Sequence, residues 1–509
     1  MSLQFITGNS GNGKTKYLFN RIVKEAKANP RDNYLVIVPE QFTMQTQRQL
    51  VDLSENKAIM NIDVLSFKRL AYRVFDELGI TNLTVLEETG KNLVLRKLAA
   101  QEADKLGVIG RNLNRIGYIS EVKSLLSELV QYNISPEELG RYIASGRLSD
   151  TLSDKLKDVL VLYEAFEKFM QDKYITAEEI LNVLSNVAEE SAILRNSVIA
   201  FDEFTGFTPI QNQLIKKLFV ISKKIYVTLT IDCREDIFKS RGMQELFDMP
   251  KRTVKSLTEM AAFYGIEVEE PIILDKNYRL AENEELSFME QQLFRKRRCS
   301  FKKVPKHIHI DCLRDPKQEL TKIARRINEL VRNENLRYRD IAIVTGDVNI
   351  YAGYVREIFD KYNIPYFIDA TQEILFHPFI EFIRSIPDIA AQNFSADAVF
   401  RFLRCGFSEL LGSEIDVLEN YVLACGVRGK SAWDKKWVRL PKHKAGYDLE
   451  LLNQSREYIM ELLKPVYQVF SDKKSTVKDY VLAIYKLIVL LDIPDKLAKK
   501  EQALLDAGD

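Results

Sequence analysis

The chain has 509 residues and nearly balanced charge, 73 Lys and Arg against 72 Asp and Glu, a formal net of +1. That balance excludes a global basic field for nucleic acid, so any such contact has to come from a local surface. An apolar share of 46% suits ordinary cored domains, roughly three to four at this length, and no uninterrupted apolar run of about eighteen residues predicts a membrane span.

Leu3, Phe5 and Ile6 predict a first strand. Directly behind it, Gly8-Asn9-Ser10-Gly11-Asn12-Gly13-Lys14-Thr15 fits G-x-x-x-x-G-K-[ST] without a gap, and a helix-like stretch leads out from Lys16. Glycines let a loop turn its N–H groups inward at a helix N-terminus, which makes an anion nest. Lys14 then reaches the β- and γ-phosphates and Thr15 ligates Mg²⁺, so a nucleoside triphosphate is the expected ligand. The competing reading is a Gly-rich turn that binds nothing. A start this close to a strand also leaves no room for a signal peptide.

Further strand-like runs fall at 34–38, 62–65, 197–201 and 225–231, near-continuously apolar as in a parallel sheet covered on both faces. Between Leu86 and Leu184 the strand signal stops. Ile119, Val122, Leu126 and Leu129 share a helical face there, and Ser135-Pro136-Glu137-Glu138 and Thr176-Ala177-Glu178-Glu179 carry capping-box signals. Tyr163, Phe166 and Phe169 in this block are expected to pack rather than to stack on bases.

The sheet resumes at Ser197-Val198-Ile199-Ala200-Phe201-Asp202-Glu203. A strand ending in two acids complements a phosphate loop: Asp202 holds the Mg²⁺ shell and Glu203 orients the attacking water. Asn277-Tyr278-Arg279 closes the first half. Past Pro305, His307–Cys312, Asp340–Thr345 and Ile364–Asp369 read as strands, with amphipathic helices at Glu319–Val331 and from Asn349. From Glu373 to Lys499 the pattern is helical, interrupted by a polar stretch from Gly426 to Gly446. So small a second sheet can hardly bury both faces, and its remaining strands are expected beyond Asp509.

The five cysteines, Cys233, Cys299, Cys312, Cys405 and Cys425, form no C-x-x-C pair. That is the usage of a reduced, cytoplasmic protein, and it argues against a zinc or iron–sulfur site built from this chain alone. His307 and His309 alternate on an expected strand, where ordinary strand residues are the plainer reading than metal ligands.

Two α/β lobes, each interrupted by helices, with these motifs in this order, resemble superfamily-one DNA helicases of the UvrD type. Val38-Pro39-Glu40-Gln41-Phe42-Thr43, Val64-Leu65-Ser66-Phe67-Lys68-Arg69-Leu70-Ala71, Asp202-Glu203-Phe204-Thr205-Gly206-Phe207-Thr208-Pro209 and Ile364–Asp369 with His377-Pro378 are similar to one branch, the AddB family. These are B subunits of a bacterial ATP-dependent helicase/nuclease. The resemblance implies an α/β fold of two RecA-like lobes, parallel sheets flanked by helices. The first spans 1–85 plus 185–285 around a helical insertion at 86–184. The second begins at 286–372 and carries a helical insertion at 373–509, with the lobe left incomplete. It further implies an AddA-type motor subunit as partner, resection of double-strand DNA ends for recombinational repair, and scanning of the emerging single strand for a Chi-type sequence. A nuclease domain and an iron–sulfur cluster would belong only to the longer subunit.

By the same resemblance, Arg279 reaches the γ-phosphate, and sequence readout falls on Gln41, Thr43, Phe67, Arg69, Tyr72 and Phe207. Aromatics stack on bases and arginine reads guanine. For Phe67 and Phe207 a place in the core beneath the loops, and for Arg69 a solvated helix charge, are the alternatives. The chain also departs from a motor of this superfamily. Thr228-Leu229-Thr230-Ile231-Asp232-Cys233-Arg234-Glu235 lacks the glutamine of Gly-Asp-x-x-Gln, and no room precedes Gly8 for an adenine-reading glutamine. A second γ-phosphate arginine is expected past residue 509, and loss of one such charge costs about 10³–10⁵ in rate. The expectation is ATP·Mg²⁺ binding with little turnover. An active translocase, a scaffold with a vestigial nucleotide site and, more remotely, a small-molecule kinase are the competing functions.

Overall fold

A computed structural model gives the fold, described for all residues except 82–83, 109, 111–116, 147, 172–173, 296–298, 371–373, 442–446 and 508–509. Glu373, where the sequence expects a helical block to open, and 442–446 of the polar stretch lie outside the described residues. The chain divides into two compact units, Met1–Ile310 and Asp311–Asp509.

The first unit opens with β1 (Ser2–Gly8), α1 (Lys14–Ala28), β2 (Tyr34–Ile37), α2 (Thr43–Leu53), β3 (Ile62–Leu65) and α3 (Phe67–Leu78). A two-stranded parallel pair, β4 (Val85–Leu86) and β5 (Ile175–Thr176), brackets helices α4 to α7 (Glu88–Gln101, Tyr118–Gln131, Pro136–Ala144, Asp150–Met170). These helices bury a core of their own, in which Tyr163 and Phe166 are interior and Phe169 packs at the margin. The Ser135 hydroxyl caps α6 by accepting from the Glu138 N–H, with Pro136 in the first turn. After α8 (Ile180–Val187) come β6 (Val198–Phe201), α9 (Pro209–Ile221), β7 (Lys224–Thr230), α10 (Asp248–Phe263), β8 (Glu267–Val268), β9 (Ile272–Leu274) and α11 (Glu284–Gln292).

The main sheet has seven strands in the order β3-β2-β6-β7-β1-β8, with β9 also paired to β1, and all its pairings are parallel. Residue alternation sorts its side chains onto two faces. Leu3, Phe5, Leu35, Ile37, Ile199 and Phe201 face one core with Leu70 and Leu214, from α3 and α9. Ile6, Val36, Val198, Ala200 and Tyr226 face the other with Leu18 and Phe19 of α1. Because every strand runs the same way, the segments after β1, β2, β3, β6 and β7 all emerge at one carboxyl edge, where such sheets bind ligands.

The second unit is largely helical. Helices α12 (Pro316–Asn333) and α13 (Val348–Lys361) share a small core built on Leu320, Ala324, Ile327, Ile358 and Phe359. Helices α14 to α20 (Pro378–Ala391, Ala396–Arg404, Gly412–Cys425, Lys430–Trp433, Leu449–Ser471, Val477–Leu490, Ile493–Asp506) form the larger bundle. The second sheet read from sequence is corrected here: 307–312, 340–345 and 364–369 carry no strand among the described residues. Ile310, Val344 and Phe367 point outward, 95%, 92% and 88% exposed. The physical reason is that β-branched, alternating sequence favours an extended backbone, whereas a strand exists only when its N–H and C=O groups find a neighbour. Among the described residues these segments pair with no neighbouring strand.

Candidate functional site

The loop between β1 and α1 follows from its glycines. Gly11 and Gly13 adopt φ of 89° and 78°, in the left-handed region that side chains resist. A Cβ on Gly11 would also fall 2.8 Å from Asn277 Oδ1 and 2.9 Å from Arg279 Cβ. Gly13 caps α1 with no side-chain hydrogen bond, and among the described residues no side chain accepts from the first-turn N–H groups of that helix. Uncapped N–H groups at a helix start attract an anion.

Two of the eight loop residues turn away from any ligand. Asn12 donates to Leu274 O at 2.6 Å, and Asn9 donates to Glu290 Oε1 at 2.6 Å while accepting from the Cys233 N–H at 2.9 Å. Both side chains hold the loop to β9, α11 and the turn after β7. The segment 277–279 straps the other side. The Tyr278 and Arg279 N–H groups donate to Gly11 O, and Asn277 Nδ2 donates to Ser10 O at 2.9 Å.

Opposite the loop stand the acids after β6. The Thr15 hydroxyl lies 3.3 Å from both Asp202 Oδ1 and Glu203 Oε1. Thr228, on β7, donates to the same Asp202 oxygen. The second oxygen, Asp202 Oδ2, is buried and has no hydrogen-bond partner among the described residues. Burial, before all else, pushes the Asp202 carboxyl above its usual range; the Thr228 and Thr15 hydroxyls oppose this. Glu203 sits at φ 64°, an uncommon left-handed position for a side-chain-bearing residue, and its carboxylate is exposed beside Thr15. Lys14 Nζ donates to Asn9 O at 3.0 Å; burial lowers its pKa, while Glu203 and Asp202 pull the other way. These groups, with Ser10, Tyr278 and Arg279, line a cleft of about 790 Å³. An orphaned buried carboxylate oxygen next to a threonine hydroxyl suits a divalent cation, and the uncapped helix suits phosphate.

Sequence reasoning did not single out Thr228 or Glu290. A threonine inside an apolar strand was the available signal for the first; nothing local marks the second. After β7 an ion cluster gathers at Asp232, while Glu235 pairs with Lys251 at 2.7 Å. Asp232 accepts from Arg234 Nη2 at 2.6 Å and Arg295 Nε at 2.9 Å. Burial works to raise the Asp232 pKa, but the Arg234 hydrogen bonds and the two guanidinium charges hold it down to about 2.

The six residues marked for DNA gather after β2, β3 and β6, and differ in access. Gln41 and Arg69 are exposed, and Arg69 Nε pairs with Glu40 Oε1 at 3.0 Å. Ser66 donates to the other Glu40 oxygen, and that bond is the main reason the Glu40 pKa is lowered. Tyr72 is partly exposed, its ring edge-on to Phe75 at 6.2 Å. Thr43 is buried and donates to Glu40 O at 3.0 Å. Phe67 is 7% exposed, its ring 5.8 Å from Phe201, 5.6 Å from Phe204 and 6.3 Å from Phe207. Phe207 is half-buried in the same cluster.

His307 Nδ1 stands 3.5 Å from Glu285, and no group of three or more His, Cys, Asp or Glu residues suited to a metal occurs among the described residues. No helix among them is long and apolar enough to cross a membrane.

Residues 5–290 match the family described as "ADDB, N-terminal". Over 504 residues the chain is 38% identical to the B subunit of the ATP-dependent helicase/deoxyribonuclease of Lachnoclostridium phytofermentans, covering 98% of this chain and 44% of that relative. The proteins of the same name from Clostridium tetani and Caldanaerobacter subterraneus are each 32% identical, covering 98% and 100% of this chain and 44% of each relative. The chain therefore spans less than half the length of these relatives.

Proposed function

The chain belongs to the amino-terminal AddB family, and on that footing we propose that it is the ATP-binding, single-strand-scanning, helicase-like portion of a B subunit in a two-subunit helicase/deoxyribonuclease. The unpartnered Asp202 oxygen carries the reading. A carboxylate kept out of water, with a hydroxyl at 3.3 Å and a lysine beyond, is a costly arrangement unless a cation completes it. Thr15 and Asp202 would hold Mg²⁺, which supplies charge neutralisation between the β- and γ-phosphates. Lys14 and the first-turn N–H groups of α1 would take the phosphate oxygens, and Arg279 would approach the γ-phosphate from the strap. Glu203 would accept a hydrogen bond from water at the open side.

In this reading the seven-stranded sheet of the first unit is a RecA-like lobe, and an AddA-type subunit supplies the main motor. Turnover here is slow. Glu235 stands at the place of the phosphate-sensing glutamine and is held by Lys251 at 2.7 Å, beside the ion cluster of Asp232, Arg234 and Arg295. Gln41, Arg69 and Tyr72 offer side chains to a single strand at the carboxyl edge. Thr43, Phe67 and Phe207 shape that edge from beneath. Full-length complexes resect double-strand breaks in this account, and the edge reads a Chi-type sequence.

Fluorescent-ATP titration of the wild type and Lys14→Ala, with ATPase assay in the presence of single-stranded DNA, tests the proposal. Binding lost in the variant and turnover well below one per second support it. DNA-stimulated hydrolysis at many per second would instead favour an active translocase, and equal binding by both proteins a vestigial site.

A further inference from the structure

The polar stretch 426–446 holds seven Lys and Arg residues and one acid, Asp434, in a chain whose net charge is only +1, so the remainder of the chain is net acidic. The acid is already taken, since Lys430 Nζ pairs with Asp434 at 2.6 Å. Arg428, Lys435, Lys436 and Arg439 are exposed and have no carboxylate within ion-pairing distance among the described residues. Some arginines elsewhere in this unit are paired instead. Arg401 pairs with Glu381, Asp388 and Asp397, and Arg404 pairs with Asp416 and Glu419.

The segment bearing these charges is not a free loop. Trp433 and Trp437 are buried, their rings 5.3 Å apart. Arg456 Nη1 donates to Trp433 O at 2.9 Å, and Asn453 clamps Trp437 by accepting from its N–H at 2.8 Å and donating to its carbonyl at 2.9 Å. The Tyr421 hydroxyl donates to Arg439 O at 2.7 Å. The backbone is thus stapled to α16 and α18 while the cationic side chains between the staples face solvent. Fixing a backbone in advance removes ordering cost from later binding.

We propose that this stapled ribbon is a phosphate-tracking surface for nucleic acid, contacting the backbone without reading sequence. Four residue steps from Lys435 to Arg439 span at most about 14 Å, which matches roughly four phosphates at about 3.4 Å of axial rise per strand. Exposed cations with no carboxylate beside them suit a phosphate backbone. Lys442 and Lys444 lie outside the described residues; the surface defined here is that of Arg428, Lys435, Lys436 and Arg439.

Anisotropy titration of the 509-residue chain with labelled duplex and labelled single strand, over a KCl series, tests the proposal. The triple variant Lys435→Gln/Lys436→Gln/Arg439→Gln should flatten the slope of log K against log[salt] by about 2.7 on duplex or about 2 on single strand, which tells the two forms apart. A control variant, Lys473→Gln/Lys474→Gln on the turn after α18, should keep the full slope, as should Lys14→Ala, so failure of the nucleotide site and of the ribbon are separable. The chain's only two tryptophans, Trp433 and Trp437, both lie in the ribbon, and their emission reports whether a variant has kept its staples. Should the triple variant lose that emission, Arg428→Gln/Lys435→Gln serves in its place, with an expected loss of about 1.4–1.8 in slope. An unchanged slope with native emission overturns the proposal, even if the variant co-purifies less with a second subunit, which would mark the ribbon as a protein-docking edge.

Discussion

The Thr15 hydroxyl and Asp202 Oδ1 stand 3.3 Å apart across 187 residues of chain. β1 and β6 do not touch; β7 lies between them, pairing with both. That intervening strand supplies Thr228, which fixes the carboxylate by its one bonded oxygen. The geometry leaves the other oxygen, Asp202 Oδ2, buried with no partner among the described residues.

Lys14→Ala removes the one cation of the phosphate loop that is aimed back across it. A hydrogen bond to a charged group is worth about 1.5–3 kcal/mol, so ATP affinity should fall roughly 10- to 150-fold. Fluorescent-nucleotide titration measures it, and an affinity within a factor of two of wild type would count against the assignment.

Asp202→Asn separates folding from ligand binding. Burial raises the folded-state pKa of Asp202, so the native state holds its proton more tightly than the unfolded chain, and without ligand this group's contribution to stability falls as pH rises above its ordinary value. The neutral amide should therefore raise the melting temperature of the ligand-free protein near neutral pH, by about 2–4 °C for each kcal/mol relieved. It should also abolish the Mg²⁺ dependence of nucleotide binding. Scanning calorimetry with and without Mg·ATP checks both; a variant melting below wild type in the absence of ligand would contradict the burial argument.

Asp232 has the opposite sign. Arg234 and Arg295 hold its pKa at about 2, so its stabilising share is present above the ordinary carboxylate range and is lost as pH falls from about 4 toward 2. In Asp232→Asn the acid limb of the stability profile should flatten in that window. Denaturant midpoints at pH 2.5 and pH 6 decide the matter, and an unchanged difference between them would dismiss the ion cluster as a source of stability.

Phe67→Ala and Arg69→Ala, two positions apart, should fail differently. Truncating a ring packed among Phe201, Phe204 and Phe207 should cost about 3–5 kcal/mol of stability. Loss of the exposed Arg69–Glu40 pair should cost about 0–1 kcal/mol while weakening any sequence-dependent pausing on single-stranded DNA. Urea unfolding and a pausing assay on the full complex measure the two; equal stability loss in both variants would refute the distinction.

Much of this protein is written locally. The eight residues from Gly8 to Thr15 specify a loop, because glycines at positive φ and a helix start need no distant partner to take shape. The strands of the first sheet were legible for a related reason: burial on both faces demands the unbroken apolar runs seen at 34–37 and 198–201. What tertiary structure alone decided is how residues alike in sequence divide their work. Asn9 and Asn12 belong to the phosphate motif yet bond away from it, since Glu290 and Leu274 come within reach only after the chain has crossed the sheet. Phe67 and Tyr72 are both aromatics on α3, about 140° apart around the helix, and only the packing of Phe201, Phe204 and Phe207 decides which of them is buried. And 340–345 reads as a strand while carrying none, because sequence sets the preference for extended backbone, whereas a β-ladder requires hydrogen-bonding groups on a second chain segment, which no stretch of residues can supply for itself.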